Sequence, residues 1–291
     1  MPHDPAPTVQ FHGLRPRLFG IAYRMLGVRA DAEDVLQDAW LRWRDADHAA
    51  MQSAEAWLVT VVTRLAIDRL RAARSEREAY TGSWLPEPIV QVEERTPETA
   101  AELASDLSVA FLHLLERLGP EERAAFLLRQ VFDYDYREIA EMLDKRESAV
   151  RQLVHRAGER VRQERPRFEV PAETHRRLLE KFVIAAQSGQ RAAIRALLAD
   201  DVQAIGDGGG QVPSVAGGMH GGERVTNLYW AHALRYGPRL RYRLAMVNAE
   251  PGLLRYIDGR LESVNAVVID GERIVAIYAI RNPDKLVNVS A

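Results

Sequence analysis

Two periodicities divide this chain of 291 residues. From Leu14 to Glu78 apolar residues recur at helical spacing: Leu14, Leu18, Ile21 and Met25; then Val35, Leu36, Ala39, Trp40 and Trp43; then Trp57, Leu58, Val61, Val62, Leu65 and Leu70. Gly27 is placed to end the first helix, Asp31 to cap the second and Ser53 to cap the third, which predicts a three-helix unit. A second helical block runs from about Ala100 to Arg165, where Gly119-Pro120 marks a stop and a new start with Glu121 and Glu122 in the first turn. Beyond Pro171 the period shortens. Two helical stretches, Thr174 to Ser188 and Arg191 to Ala199, precede a strand expected at Val202 to Gly206, a Gly-rich loop and a helix near Glu223 to Arg235. Alternating segments follow at Leu240 to Asn248, Leu253 to Ile257, Leu261 to Ile269 and Ile274 to Ile280, the last two joined by the hairpin signal Asp270-Gly271. Helices followed by an antiparallel meander predict an α+β domain with a curved sheet.

The second block contains a sharper pattern. Tyr136 to Leu143, a turn around Asp144 and Lys145, and an Arg-rich helix from about Glu147 have the proportions of a helix-turn-helix. The net charge of −2 conceals the imbalance that goes with it, because residues 145 to 167 hold eight bases against three acids. Such a surplus suits a polyanion partner or a solvated helix face. The absence of cysteine excludes disulfides, thiolate chemistry and thiolate zinc sites. The start, MPHDPAPT, shows no basic segment before an apolar core, and no apolar run has bilayer-spanning length, so a cytoplasmic protein is expected.

The stretch between the helical blocks is acidic, yet WLPEPIV interrupts it with Trp84, Leu85, Ile89 and Val90 around two prolines. The prolines bias Leu85 and Glu87 towards extended geometry, so the strip presents its apolar side chains at low ordering cost. It reads either as a segment tucked against its nearest helix or as a docking strip for the third domain.

Three segments, DAEDVLQDAWLRW (Asp31 to Trp43), WLVTVVTRLAIDRLRAAR (Trp57 to Arg74) and YREIAEMLDKRESAVRQLVHRA (Tyr136 to Ala157), resemble, in order and spacing, the extracytoplasmic-function (ECF) sigma factors. The C-terminal part resembles the SnoaL-like branch of the NTF2-like cone-shaped α+β barrels. With DGGGQV (Asp207 to Val212), RNPDKL (Arg281 to Leu286) and WLPEP, it extends the likeness to the ECF subgroup carrying a fused SnoaL-like tail. The implied fold class is two all-α domains, a sigma2-type bundle and a sigma4-type helix-turn-helix, followed by an α+β SnoaL/NTF2-like barrel. The expected boundaries are 8–79 for the sigma2-like domain, 80–105 for the linker, 106–167 for the sigma4-like domain and 171–288 for the barrel.

The resemblance also implies roles. Asp31, Asp34, Gln37, Asp38 and Leu41 would meet core RNA polymerase, although acids opposite an apolar face also suit a solvated surface. Arg64, Arg69, Arg71 and Arg74, with the loop Asp45 to Ser53, would engage the −10 element and hold an extruded base, whose unstacking costs a few kcal/mol. Arg64 stands where many members carry Asn. Ser148, Arg151, Gln152, His155 and Arg156 would face the major groove of the −35 element, with Lys145 and Arg146 on phosphate. Trp84, Leu85, Pro86 and Pro88 would meet the barrel near Asp207, Gly208 and Gly209, with Asp284 and Lys285 closing the same contact.

The partners implied are RNA polymerase core enzyme and promoter DNA, with control in cis by the tail, no separate anti-sigma factor and no membrane. A small-molecule ligand in the barrel is left open. No cofactor is expected, and the eight His form no metal-ligating spacing. No enzymatic activity is expected either: Asp207, His220, Tyr229, His232, Tyr242 and Asp258 have the right chemistry for proton transfer, but no spacing marks them as convergent. The alternatives are a helix-turn-helix regulator acting without polymerase, and a bifunctional protein whose barrel converts a small molecule.

Overall fold

Trp43 is buried, and its indole Nε1 donates to the Pro7 carbonyl at 2.8 Å, which fixes the start of the first helix earlier than the apolar pattern does. The structure, a computed structural model, describes residues 5–91, 107–164, 170–215 and 217–289; the acidic linker residues Glu93, Glu94, Glu98, Glu102 and Asp106 lie outside them. Among the described residues, 5–78 and 114–164 form one unit, and 79–91, 107–113 and 170–289 form a second.

In the first unit, α1 (Pro5–Leu26), α2 (Arg29–Arg44) and α3 (Ala54–Ala72) pack together, and the short α4 (Arg74–Glu78) follows. Ser53 caps α3 as the sequence predicts, its hydroxyl accepting from the Ala56 amide at 3.2 Å. Asp31 does not cap α2; Val28 occupies that position, and Asp31 sits inside the first turn. There its charge complements the helix N-terminus.

After α5 (Val109–Leu115), the chain forms α6 (Pro120–Gln130), α7 (Tyr136–Leu143) and α8 (Glu147–Glu164). Asp135 and Glu138 make a reciprocal capping box at the start of α7, both bonds 2.8 Å. Asp144 turns the chain between α7 and α8 in the left-handed region, φ 53°. Val150, Leu153 and Val154 are buried with Ile139 and Ala140, as the helix-turn-helix reading requires. A buried polar knot ties this part to the first three helices: Glu116 pairs with Arg77 and Arg123, and Arg123 Nη1 donates to the Met25 carbonyl at 2.6 Å. Burial opposes ionisation of Glu116, but the two guanidiniums overcome it and hold the carboxyl below its usual range.

The second unit has α9 (Ala172–Ser188), α10 (Arg191–Leu197), β2 (Leu198–Asp207), β3 (Met219–His220), α11 (Gly222–Tyr236), β4 (Leu240–Val247), β5 (Glu250–Ile257), β6 (Arg260–Asp270), β7 (Arg273–Ile280) and the short α12 (Pro283–Leu286). With β1 (Val90–Gln91) the sheet order is β1-β4-β5-β6-β7-β2-β3, antiparallel except for β2 beside β7. Strand β2 is longer than the expected Val202 to Gly206, and β3 answers to no sequence signal.

Period-two alternation gives the sheet two apolar faces. Leu253, Val267 and Ile269 pack under α9 and α11 with Phe182 and Tyr229. Leu254, Tyr256, Val264 and Ala266 point the other way, where Leu85 and Val109 cover them. A sheet with apolar side chains on both faces needs a cover on each. Here the second cover is the WLPEP segment and the start of α5.

Candidate functional site

The linker strip is built into the second unit. Leu85 is fully buried, and its peptide is held from both sides: the amide donates to Asp207 Oδ2 at 2.9 Å, and the carbonyl accepts from Lys285 Nζ at 2.5 Å. Lys285 and Asp207 themselves pair at 2.7 Å. The ammonium also lies 4.1 Å from the centroid of the Trp84 ring and 5.1 Å from that of Tyr80. A desolvated cation over an aromatic face gains about 2 kcal/mol, which helps offset the cost of removing the ammonium from water.

Backbone accounting explains the prolines. A buried extended segment must satisfy each amide, and Pro86 and Pro88 have none to satisfy. Leu85 uses Asp207. Ile89 donates to Asn248 Oδ1 at 2.9 Å and accepts from the Asn248 amide at 2.8 Å, after which Val90 pairs with Val247 at the sheet edge. Asn248 Nδ2 donates to the Leu107 carbonyl at 3.0 Å, so one turn residue bonds the chain at both Ile89 and Leu107. Glu87 is buried and accepts from Asn288 Nδ2 at 3.0 Å.

Asp207 is saturated. Oδ1 accepts from the Tyr80 hydroxyl at 2.6 Å and the Gly209 amide at 3.0 Å, while Oδ2 accepts from Leu85 and Lys285. These four donors occupy the lone-pair sites of the carboxylate. Burial, followed by the bond to Asp207, raises the pKa of the Tyr80 phenol, so it remains a donor. The glycines after Asp207 allow this closeness. A Cβ on Gly208 would lie 2.1 Å from the Val212 carbonyl oxygen, and one on Gly209, φ 62°, would lie 2.5 Å from the Asn282 side chain.

Of the residues expected at this junction, Trp84, Leu85, Asp207, Gly209 and Lys285 are brought together. Asp284 is exposed and does not reach the strip; its carboxylate accepts from Gln211 Nε2 at 2.6 Å and braces the Gly-rich loop. Nothing in the local sequence marks Tyr80 or Asn248, and Asn282 is assigned no role of its own by the sequence. Asn282 lies inside RNPDKL, where its Nδ2 donates to the Tyr80 hydroxyl at 2.9 Å.

Of the proton-transfer candidates, Tyr229, His232 and Tyr242 come together, whereas Asp207, Asp258 and the exposed His220 of β3 lie elsewhere. Asp207 lies with the linker, and Asp258 pairs with Arg239 in a turn. Tyr229, His232 and Tyr242 surround the buried Arg255, which is bonded to Glu262. Burial and then Arg255 push His232 down to about 4. Among the described residues, no group of His, Asp and Glu is placed to hold a metal ion, and no helix is long and apolar enough to cross a membrane.

In the first unit Gln37, Asp38 and Leu41 are exposed on α2. Asp31 and Asp34 instead receive Arg69, at 2.7 and 3.4 Å, which joins residues assigned to different partners. Arg64 Nε donates to the Met142 carbonyl at 2.8 Å, at the end of α7. Arg71 meets Glu121 at 2.8 Å, and Lys145 meets the other oxygen of Glu121 at 2.9 Å. Arg74 pairs with Glu78, and Arg156 with Glu122. Arg71, Arg74, Arg156, Glu121 and Glu122 line a groove of about 540 Å³. Arg146, Ser148, Arg151, Gln152 and His155 are exposed on one end of α8 and the turn before it.

Residues 11–76 match the sigma-70 region 2 family, and residues 108–160 match the sigma-70 region 4 family. The chain is 37% identical to the ECF RNA polymerase sigma factor SigJ of Mycobacterium tuberculosis, over 95% of this chain and 92% of that protein. It is 28% identical to a probable ECF RNA polymerase sigma factor, SigI, of the same species, over 98% of this chain and 96% of that one. The crystal structure of M. tuberculosis SigJ matches with a TM-score of 0.79 at 35% identity, covering 96% of this chain and 98% of that one.

Proposed function

This chain belongs to the ECF RNA polymerase sigma factors, which direct promoter-specific transcription initiation, and we propose that its C-terminal domain controls that activity in cis through the linker. The observation that carries the proposal is the Leu85 peptide clamped between Asp207 and Lys285. A linker held in this way fixes the ends of the chain leading to both DNA-reading segments. Leu85 is fully buried and contributes roughly 1.5–3 kcal/mol, and the half-buried Trp84, Ile89 and Val90 each add less. A shift of a two-state equilibrium from 1:99 to 99:1 takes about 5.5 kcal/mol of differential binding, to which the Asp207–Lys285 clamp on Leu85 would add.

On this reading the exposed face of α2 meets core polymerase, α3 and the loop before it meet the −10 element, and α8 meets the −35 element. On the same reading the functional domains are 8–79, 80–105, 106–167 and 171–288, although 107–113 pack in the second unit. The two elements lie about 85 Å apart along B-form DNA at about 3.4 Å per base pair. A compact unit of this size has a radius of gyration of about 14 Å. Engaging both elements therefore separates α3 from α6 and α7, breaking the Arg64–Met142 and Arg71–Glu121 contacts. The polymerase does the chemistry, and the barrel acts as a cytoplasmic regulatory domain without a separate anti-sigma protein. The saturated Asp207 supports a structural role for it over a catalytic one.

Run-off transcription with core polymerase tests the proposal, comparing the intact chain with Trp84→Ala and with a chain ending before Pro171. Altered promoter-dependent output with unchanged polymerase binding is expected. Equal output from all three proteins would refute control in cis.

A further inference from the structure

Among the basic side chains expected to read the −35 element, Arg151 is held in a distinctive way. Its Nε and Nη2 both bond Glu147 Oε1, at 3.0 and 2.6 Å, and its Cζ lies 4.2 Å from the centroid of the Tyr136 ring. Glu147 is one turn earlier on α8, whereas Tyr136 belongs to α7. The same ring lies 5.1 Å from Arg129 Cζ of α6, and Arg129 Nη1 donates to the Tyr134 carbonyl at 3.0 Å. One aromatic ring thus links cations from α6 and α8.

The geometry points to a consequence for base reading. A guanidinium has two donor edges, and Glu147 occupies the Nε–Nη2 edge. The Nη1–Nη2 end remains directed away from it, and that end supplies the parallel N–H pair that binds guanine O6 and N7 in the major groove. An exposed Arg otherwise explores many rotamers, and fixing one of them reduces the entropy lost on binding.

We propose that Tyr136 is a positioning residue for −35 recognition: its ring holds the Arg151 guanidinium so that the free donor pair meets one guanine. The proposal rests on the assignment of α8 to the −35 element. An exposed cation–aromatic contact corresponds to about a two- to five-fold preference, which sets the expected size of the effect.

The test uses the full chain with core polymerase on promoters carrying every single-base change through the −35 element. Arg151→Ala flattens the preference at one guanine. Tyr136→Ala and Tyr136→Leu reduce the preference at that same position by about two- to five-fold, with the ratios at other positions kept. Tyr136→Phe, which retains the aromatic face, keeps the intact protein's profile. Tyr136→Leu preserves bulk, so it decides the matter if the alanine variant folds poorly.

Equal weakening of all promoters by Tyr136→Leu and Tyr136→Phe would reduce Tyr136 to a packing residue and overturn the proposal. So would an unchanged ratio in Tyr136→Leu at the position that Arg151→Ala flattens. If Arg151→Ala flattens no position, the assignment of Arg151 to base reading fails first, and the positioning role falls with it.

Discussion

Lys285 Nζ and Asp207 Oδ2 lie 2.7 Å apart, both residues are buried, and the peptide of Leu85 is bonded to both. An ion pair taken out of water is stabilising only when its remaining hydrogen-bonding capacity is used. Here the linker uses it, so linker and barrel are parts of one polar core.

The two partners are unequal, and their substitutions will be too. Asp207→Ala strands a buried ammonium and an orphaned Leu85 amide, and should cost about 3–5 kcal/mol. Lys285→Met leaves the carboxylate with Tyr80, Leu85 and Gly209 as donors and should cost less. Urea unfolding of the full chain measures both. Equal costs would show that the three neutral donors do not support the carboxylate.

Gly209 and Gly271 share a positive φ but not a neighbourhood. Gly209→Ala meets Asn282 at 2.5 Å, whereas a Cβ on Gly271 meets nothing within 4 Å. Gly271→Ala should therefore cost about 1–2 kcal/mol for the left-handed backbone alone. Gly209→Ala should exceed that by the cost of displacing Asn282 from Tyr80. Thermal unfolding of the two variants side by side gives the difference.

Glu121 occupies Arg71 and Lys145, two cations assigned to DNA. Glu121→Gln should release Lys145, leave Arg71 only its exposed pair with Asp68 at 3.3 Å, and strengthen duplex binding at low salt. If both then meet phosphate, the slope of log K against log salt should steepen by about 1.8. An unchanged slope would remove these two residues from the phosphate interface.

His175 and His232 stay neutral in the fold down to about pH 4, chiefly because burial disfavours their charged forms, while in the unfolded chain they titrate near 6.5. The unfolded state binds more protons between these values, so stability falls as pH drops from about 6.5 towards 4. His175→Gln and His232→Gln should each flatten this part of a melting-temperature profile. A profile as steep as that of the intact chain would assign the acid lability to other groups.

Much of this architecture is legible along the chain. Apolar residues three and four apart must share a helix face, and alternating ones must share a sheet face, so α1 to α3, α7, α8 and β4 to β7 follow from spacing alone. Ser53 and Gly119-Pro120 act within one turn of where they stand, so their roles are local too. Strands β1 and β3 were not legible, because each is two residues long and exists only by pairing with an edge that the fold supplies.

The amino-acid sequence by itself determined the helical blocks, the helix-turn-helix, the meander and the presence of an apolar strip rigid enough to dock. Only the tertiary structure decided what that strip touches. Leu85, Asp207 and Lys285 stand 122 and 78 residues apart, and Asn248 reaches Ile89 across 159. Their bonds depend on where a folded sheet brings its edge and loops. It also decided that Asp284 braces Gln211 instead of the linker, and that Arg69 turns to Asp31, because long side chains choose among neighbours that only packing provides.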